Sequence, residues 1–126
     1  SATVGMPGIE TSLPALLSEG VNKGKITLER LVEVTAFQPA RIFGLYPKKG
    51  ILAVGSDADI TVIDLEKTVA VDANKNLHQG SDYSPFDGKT LKGWPVLTIL
   101  RGQVVMEEDE VTATPGTGKF VPRPMR

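Results

Sequence analysis

Gly55-Ser56-Asp57-Ala58-Asp59-Ile60-Thr61-Val62-Ile63-Asp64-Leu65 is the stretch on which the fold turns. Its first half is built from turn formers. Glycine tolerates unusual backbone angles, and short Ser and Asp side chains bond the backbone nearby. Its second half is rich in β-branched residues and short enough to be one buried strand. Two carboxylates beside Ser56 also raise a calcium or magnesium site, but such ions need several oxygen ligands and the neighbouring sequence has no further ligand spacing. The segment is therefore read as a turn entering a strand, and it marks where the chain changes from helical to strand periodicity.

Downstream, Thr68-Val69-Ala70-Val71 predicts a shorter second strand. Residues 72–95 are polar and carry Asn74, Gly80, Pro85, Gly88, Gly93 and Pro95, which predicts a long ordered loop. Val96-Leu97-Thr98-Ile99-Leu100 and Gln103-Val104-Val105-Met106 flank Arg101-Gly102 as a β-hairpin does. A second turn at Glu108-Asp109-Glu110 leads to one more short strand, and the acidic run 107–110 is a solvated tip. Residues 113–126 form an extended tail, ordered against a partner.

Upstream, the period is helical. Leu13, Leu16, Leu17 and Val21 share one face of a helix over residues 12–22, with Ser12 as N-cap and Pro14 in the first turn. Leu28, Leu31, Val32, Thr35 and Ala36 form the stripe of a second helix, capped by Thr27. Pro39 predicts a break, because the residue before a proline avoids helical angles. A short third helix over residues 40–43 then ends at Gly44. The division is thus a helical segment 1–47, a partial β-sandwich 48–112 and the tail 113–126. Three or four strands make a poor closed barrel, so covering strands are expected from elsewhere and the chain reads as incomplete.

Composition narrows the function. The 126 residues carry 14 basic and 15 acidic side chains, a net charge of −1, so there is no electrostatic footprint for nucleic acid or anionic membrane. No apolar run approaches the roughly 20 residues needed to span a bilayer. Cysteine is absent, and a reducing cytoplasm is the expected setting. The one histidine, His78, is decisive, because zinc sites want three or four imidazole or thiolate ligands. No metal site, catalytic residue or cofactor is assigned to the chain. His78 lies in a polar loop without a positioned nucleophile or carboxylate partner, which predicts a surface or hydrogen-bonding role rather than a catalytic one. Trp94 before Pro95 is read as a core anchor. Gly5-Met6-Pro7-Gly8-Ile9-Glu10 is a turn into the first helix, and glycines there also let backbone amides approach a ligand.

Specific words then matter. Gly5-Met6-Pro7-Gly8-Ile9-Glu10-Thr11, Leu13-Pro14 and Pro39-Ala40-Arg41-Ile42-Phe43-Gly44-Leu45 resemble the last barrel segment of cyclic amidohydrolases of the hydantoinase, dihydropyrimidinase and dihydroorotase kind. Lys49-Gly50, the Gly55 to Ile60 word, Ser84-Pro85-Phe86-Asp87-Gly88, Gly93-Trp94-Pro95-Val96 and Thr98-Ile99-Leu100-Arg101-Gly102 continue the match in order. The resemblance implies an α+β fragment: the last helices of a (β/α)8 barrel followed by part of a small β-sandwich. It implies a parent that hydrolyses cyclic amide or imide C–N bonds with a binuclear divalent metal centre, expected to be zinc, held by motifs absent from this chain. The expected partners are the remainder of the parent chain and further copies in a homo-oligomer. An assembly-forming relative without catalysis is the alternative parent. The one feature carried over is a substrate loop, Val4, Gly5, Met6, Pro7 and Gly8, where relatives place Asn-Gly and this chain has Val4-Gly5.

Overall fold

The computed structural model describes residues 5–78 and 80–123. Its elements run as three short α-helices and then four strands: α1 (Ile9–Leu16), α2 (Leu28–Val32), α3 (Gln38–Ile42), β1 (Ile60–Ala70), β2 (Thr90–Leu100), β3 (Gln103–Glu107) and β4 (Glu110–Val111). The strands form one sheet in the order β1-β2-β3-β4. The helical opening and the small sheet agree with the α+β reading. Among the described residues no helix is long and apolar enough to cross a membrane.

Several boundaries move. Helix α1 starts at Ile9, with Gly8 rather than Ser12 at its N-cap. The Ser12 hydroxyl instead donates back to the Ile9 carbonyl at 2.8 Å, so it serves the helix from inside. Pro14 sits within the helix, and the chain then widens into a π-helical turn, Leu17–Val21, closed by the Asn22 amide on the Leu17 carbonyl.

The break expected at Pro39 does not occur. Helix α2 passes through a second π-helical turn, Glu33–Phe37, directly into α3, and Gln38 keeps helical angles (φ −65°, ψ −43°). The Gln38 amide reaches back five residues to the Glu33 carbonyl. With the ladder already widened there, the missing N–H of Pro39 comes at a point of changed register. Gly44 at φ 70° ends the run as the sequence predicts. The Leu45 amide bonds the Ala40 carbonyl at 2.7 Å and the Gly44 amide bonds the Arg41 carbonyl at 3.1 Å, the paired bonds of a glycine-terminated helix.

The strands are longer than their sequence signals. Residues 60–70 are one strand where two were expected, with the Asp64 carboxylate taking the Glu66 and Lys67 amides in its middle. Strand β2 begins at Thr90, inside the segment read as loop. Gly93 and Pro95 argue against a strand from sequence, but Gly93 at φ 97° lets the strand pass so close to Leu17 that an added Cβ would stand 2.9 Å from the Leu17 Cβ. The hairpin holds as expected: Arg101 (φ 49°) and Gly102 (φ 81°) give the doubly left-handed two-residue turn that matches strand twist. Glu108 (φ 45°) and Asp109 (φ 68°) repeat it, and Glu110 belongs to β4. A bulge lies between Thr98↔Met106 and Ile99↔Val104.

Contacts divide the chain into two compact units. The first joins Ser1–Thr27 to Ile63–Pro95. Its core is Val71, Leu91 and Trp94, with Ala15, Val69, Leu77 and Phe86 packed against them. Trp94 is the core anchor expected of it, and its indole N–H donates to the Leu91 carbonyl at 3.1 Å. The second unit joins Leu28–Val62 to Val96–Arg126. Leu31 and Ala40 are buried there, and Gly50 lies so close to the helical run that only hydrogen fits.

Candidate functional site

The substrate-loop candidates precede α1 in the first unit. Val4 lies outside the described residues. Gly5 takes φ 87°, Met6 is exposed, and Pro7 and Gly8 are half-buried. A Cβ built on Gly5 or Gly8 would meet nothing within 4 Å, so space is open on the side of each where a side chain would stand.

Glu10, in the first turn of α1, does not cap its own helix; no side chain caps it. Its carboxylate accepts the His78 backbone N–H at 2.8 Å and the His78 ring Nδ1–H at 2.7 Å. The Tyr83 hydroxyl donates to the Gly5 carbonyl at 3.4 Å. His78 thus has a carboxylate partner, contrary to the expectation from sequence, because the fold brings Glu10 to it from 68 residues away. No local spacing signals such a pair. Next to Glu10 in the chain, the Thr11 hydroxyl is buried with no partner among the described residues.

The loop that carries His78 and Tyr83 is anchored at both ends. Asn76 donates to the Ala70 carbonyl at 2.8 Å and accepts the Asp72 amide. Asp87 accepts the Ala73 amide at 2.9 Å and the Ser84 amide at 2.7 Å. Asp72, Asn76 and Asp87 line an open cleft of about 530 Å³, and their polar atoms are bonded to one another and to backbone.

In the second unit, the Gly-Ser-Asp-Ala-Asp word is a turn and strand entry, as read. Ser56 donates to the Pro47 carbonyl at 2.7 Å. Asp57 is paired with Lys48 at 2.6 Å and Lys49 at 2.9 Å. Asp59 is paired with Lys49 and accepts the Arg101 amide at 2.8 Å, while Gly102 donates to the Ala58 carbonyl. The carboxylates therefore tie the turn to the hairpin and face ammonium groups, a surrounding opposite to that of a cation site.

Charge pairing shows in the titration of this cluster. Hydrogen bonds from Lys48 and then Lys49 hold Asp57 below its ordinary value of 3.8. Burial pushes Asp59 up, but Lys49 and the Arg101 amide together bring it below the ordinary value. The bond to Asp59 is the main cause that raises Lys49 above 10.5. Carboxylates with lowered values contribute stability above the unfolded value and lose it as pH falls through the folded one; a raised lysine contributes below its unfolded value and loses it as pH rises. Lys49→Met is therefore expected to lower the unfolding midpoint throughout about pH 5–9, with the deficit shrinking below about pH 3 and above about pH 11. Denaturant titrations across pH check this; an equal deficit at pH 2 and pH 7 would contradict the pairing.

The donor set does not fit a binuclear metal centre. The chain has one histidine and no cysteine, and that histidine is bonded to Glu10. Asp57, Asp59, Asp72 and Asp87 are engaged by lysines and amides.

Comparison with known proteins gives a consistent result. Residues 7–105 match the amidohydrolase family. The chain is 54% identical over 121 residues to an L-hydantoinase of Paenarthrobacter aurescens, a match covering 94% of this chain and 26% of that protein. It is 44% identical over 119 residues to a D-phenylhydantoinase of Escherichia coli O1:K1, again 94% of this chain and 26% of that protein. Among solved structures it superposes on the L-hydantoinase (dihydropyrimidinase) of Arthrobacter aurescens with a TM-score of 0.92 at 52% identity, covering 97% of this chain and 27% of that one. A D-hydantoinase (dihydropyrimidinase) from Thermus sp. gives 0.90 at 33% identity, covering 96% and 26%. The chain therefore spans about a quarter of the length of the curated relatives it matches.

Proposed function

The chain belongs to the amidohydrolase family, and from that membership we propose that it is the carboxyl-terminal part of a metal-dependent hydrolase of cyclic amide or imide C–N bonds. The ring is of hydantoin, dihydropyrimidine or dihydroorotate type, and this part is structural rather than catalytic by itself. The observation that carries the reading is the 54% identity to an L-hydantoinase sustained over 94% of the chain.

Within that hydrolase a divalent metal centre, zinc in this reading, would supply the activated water, and its ligands would have to come from outside this chain, whose one histidine and absent cysteine do not fit it. This chain contributes the loop of residues 5–8. In this reading its backbone orients the ring amide without taking or giving a proton. Its partners are the remainder of the parent chain and further copies of the parent. That assignment is supported by apolar side chains left bare, with Ile9 at 96% and Phe120 at 90% exposure.

The test compares the full-length parent with the 126-residue chain on hydantoin and dihydropyrimidine substrates. The parent is expected to turn over, to lose activity on chelation and to regain it with zinc, while the chain alone shows none. Metal-dependent turnover by the chain alone would overturn the structural role. A parent that is inactive under all metals and lacks a His-x-His pair would point to the assembly-forming relative instead.

A further inference from the structure

We infer that Glu10 and Tyr83 are positioning residues, and that His78 and residues 80–83 act as a buttress holding the backbone of the loop at residues 5–8 in the geometry that receives the ring. The role of that loop rests on the reading under Proposed function; the buttress itself rests on geometry alone.

A glutamate in the first turn of a helix ordinarily serves that helix's own free amides and dipole. Here both carboxylate oxygens of Glu10 are turned to His78, at 2.8 and 2.7 Å, and the helix has no side-chain cap. One of the two donors is a backbone N–H, which cannot swing away by a rotamer change, so the bond fixes the backbone at His78. Tyr83 reaches the same loop through its hydroxyl on the Gly5 carbonyl. Gly5 takes φ 87° and a Cβ there would touch nothing, so packing does little to hold the backbone at this point. Hydrogen bonds from outside the loop must do so. The buttress can bear load because its ends are anchored, by Asn76 on Ala70 and by Asp87 on Ala73 and Ser84.

The experiment uses the full-length parent with Tyr83→Phe, Glu10→Gln and Glu10→Ala, reading KM and kcat on a hydantoin together with amide hydrogen exchange of residues 5–10. Tyr83→Phe removes one hydroxyl and leaves the ring, so folding is preserved. The expected result is exchange faster by about tenfold and KM raised by about 3- to 10-fold with kcat within about twofold, at an unchanged unfolding midpoint. Glu10→Gln keeps one acceptor and is expected to fall between wild type and Glu10→Ala. Unchanged exchange in Tyr83→Phe and Glu10→Ala overturns the buttress. A fall of kcat and unfolding midpoint together, with KM unchanged, overturns positioning in favour of a merely structural bond. A wild-type parent without turnover on any cyclic amide overturns the proposed function, and the exchange rates then decide the buttress by themselves.

Discussion

Gly50→Ala is expected to lower the unfolding free energy by roughly 2–5 kcal/mol, the sum of a strained backbone and an overpacked contact. Gly50 holds φ 83°, a conformation that costs an L side chain by itself. An added Cβ would stand 2.5 Å from the Ala40 Cβ and 2.9 Å from the Ala36 carbonyl oxygen. Neither neighbour can rotate aside: one is a methyl group fixed on a helix and the other is backbone. Gly102→Ala separates the two causes, since Gly102 has a similar φ of 81° with nothing within 4 Å of the same methyl. It should cost about 1–2 kcal/mol. Chemical denaturation of the two variants decides the matter, and equal losses would show that the helix yields to the added methyl.

Leu91→Ala is expected to cost about 2–5 kcal/mol, as buried leucines do when the cavity cannot collapse. Leu91 is 1% exposed and packs with Val71 and Trp94 at the centre of the first unit. Collapse is resisted because the Leu91 carbonyl also holds the Trp94 indole in place. Trp94 is the single tryptophan, so its fluorescence reports unfolding of this core directly. Leu52→Ala, at a side chain that is 72% exposed, serves as the control and should stay within about 0.5 kcal/mol. A loss below about 1 kcal/mol for Leu91→Ala would mean that the cluster closes over the gap.

Legibility varied with the kind of signal. Gly102 and Gly44 were readable because a single residue type satisfies a backbone angle locally. The Gly-Ser-Asp-Ala-Asp word was readable as a turn for the same reason, although its lysine partners at 48 and 49 were not. Pro39 misleads, because its rule concerns the residue before it in an ordinary helix, and a π-helical turn changes which carbonyl goes without a donor. Strand β2 was read too short because Gly93 and Pro95 are poor strand formers, and the packing of Leu17 against Gly93 outweighs that preference. At the candidate site, Gly5, Met6, Pro7 and Gly8 could be singled out from their turn chemistry and their family resemblance. Glu10 and Tyr83 could not.

By itself the sequence determined the features that depend on residue type and short spacing: helices before residue 45, strands after residue 60, the two hairpin turns, and a donor set too poor for a binuclear metal site. The order of words along the chain also carried the family. Tertiary structure alone decided which distant groups meet. The carboxylate of Glu10 finds His78 across 68 residues, and the hydroxyl of Tyr83 finds Gly5 across 78. The physical reason is that a side-chain hydrogen bond depends on approach within about 3 Å, and approach between remote segments is set by the packing of the core beneath them.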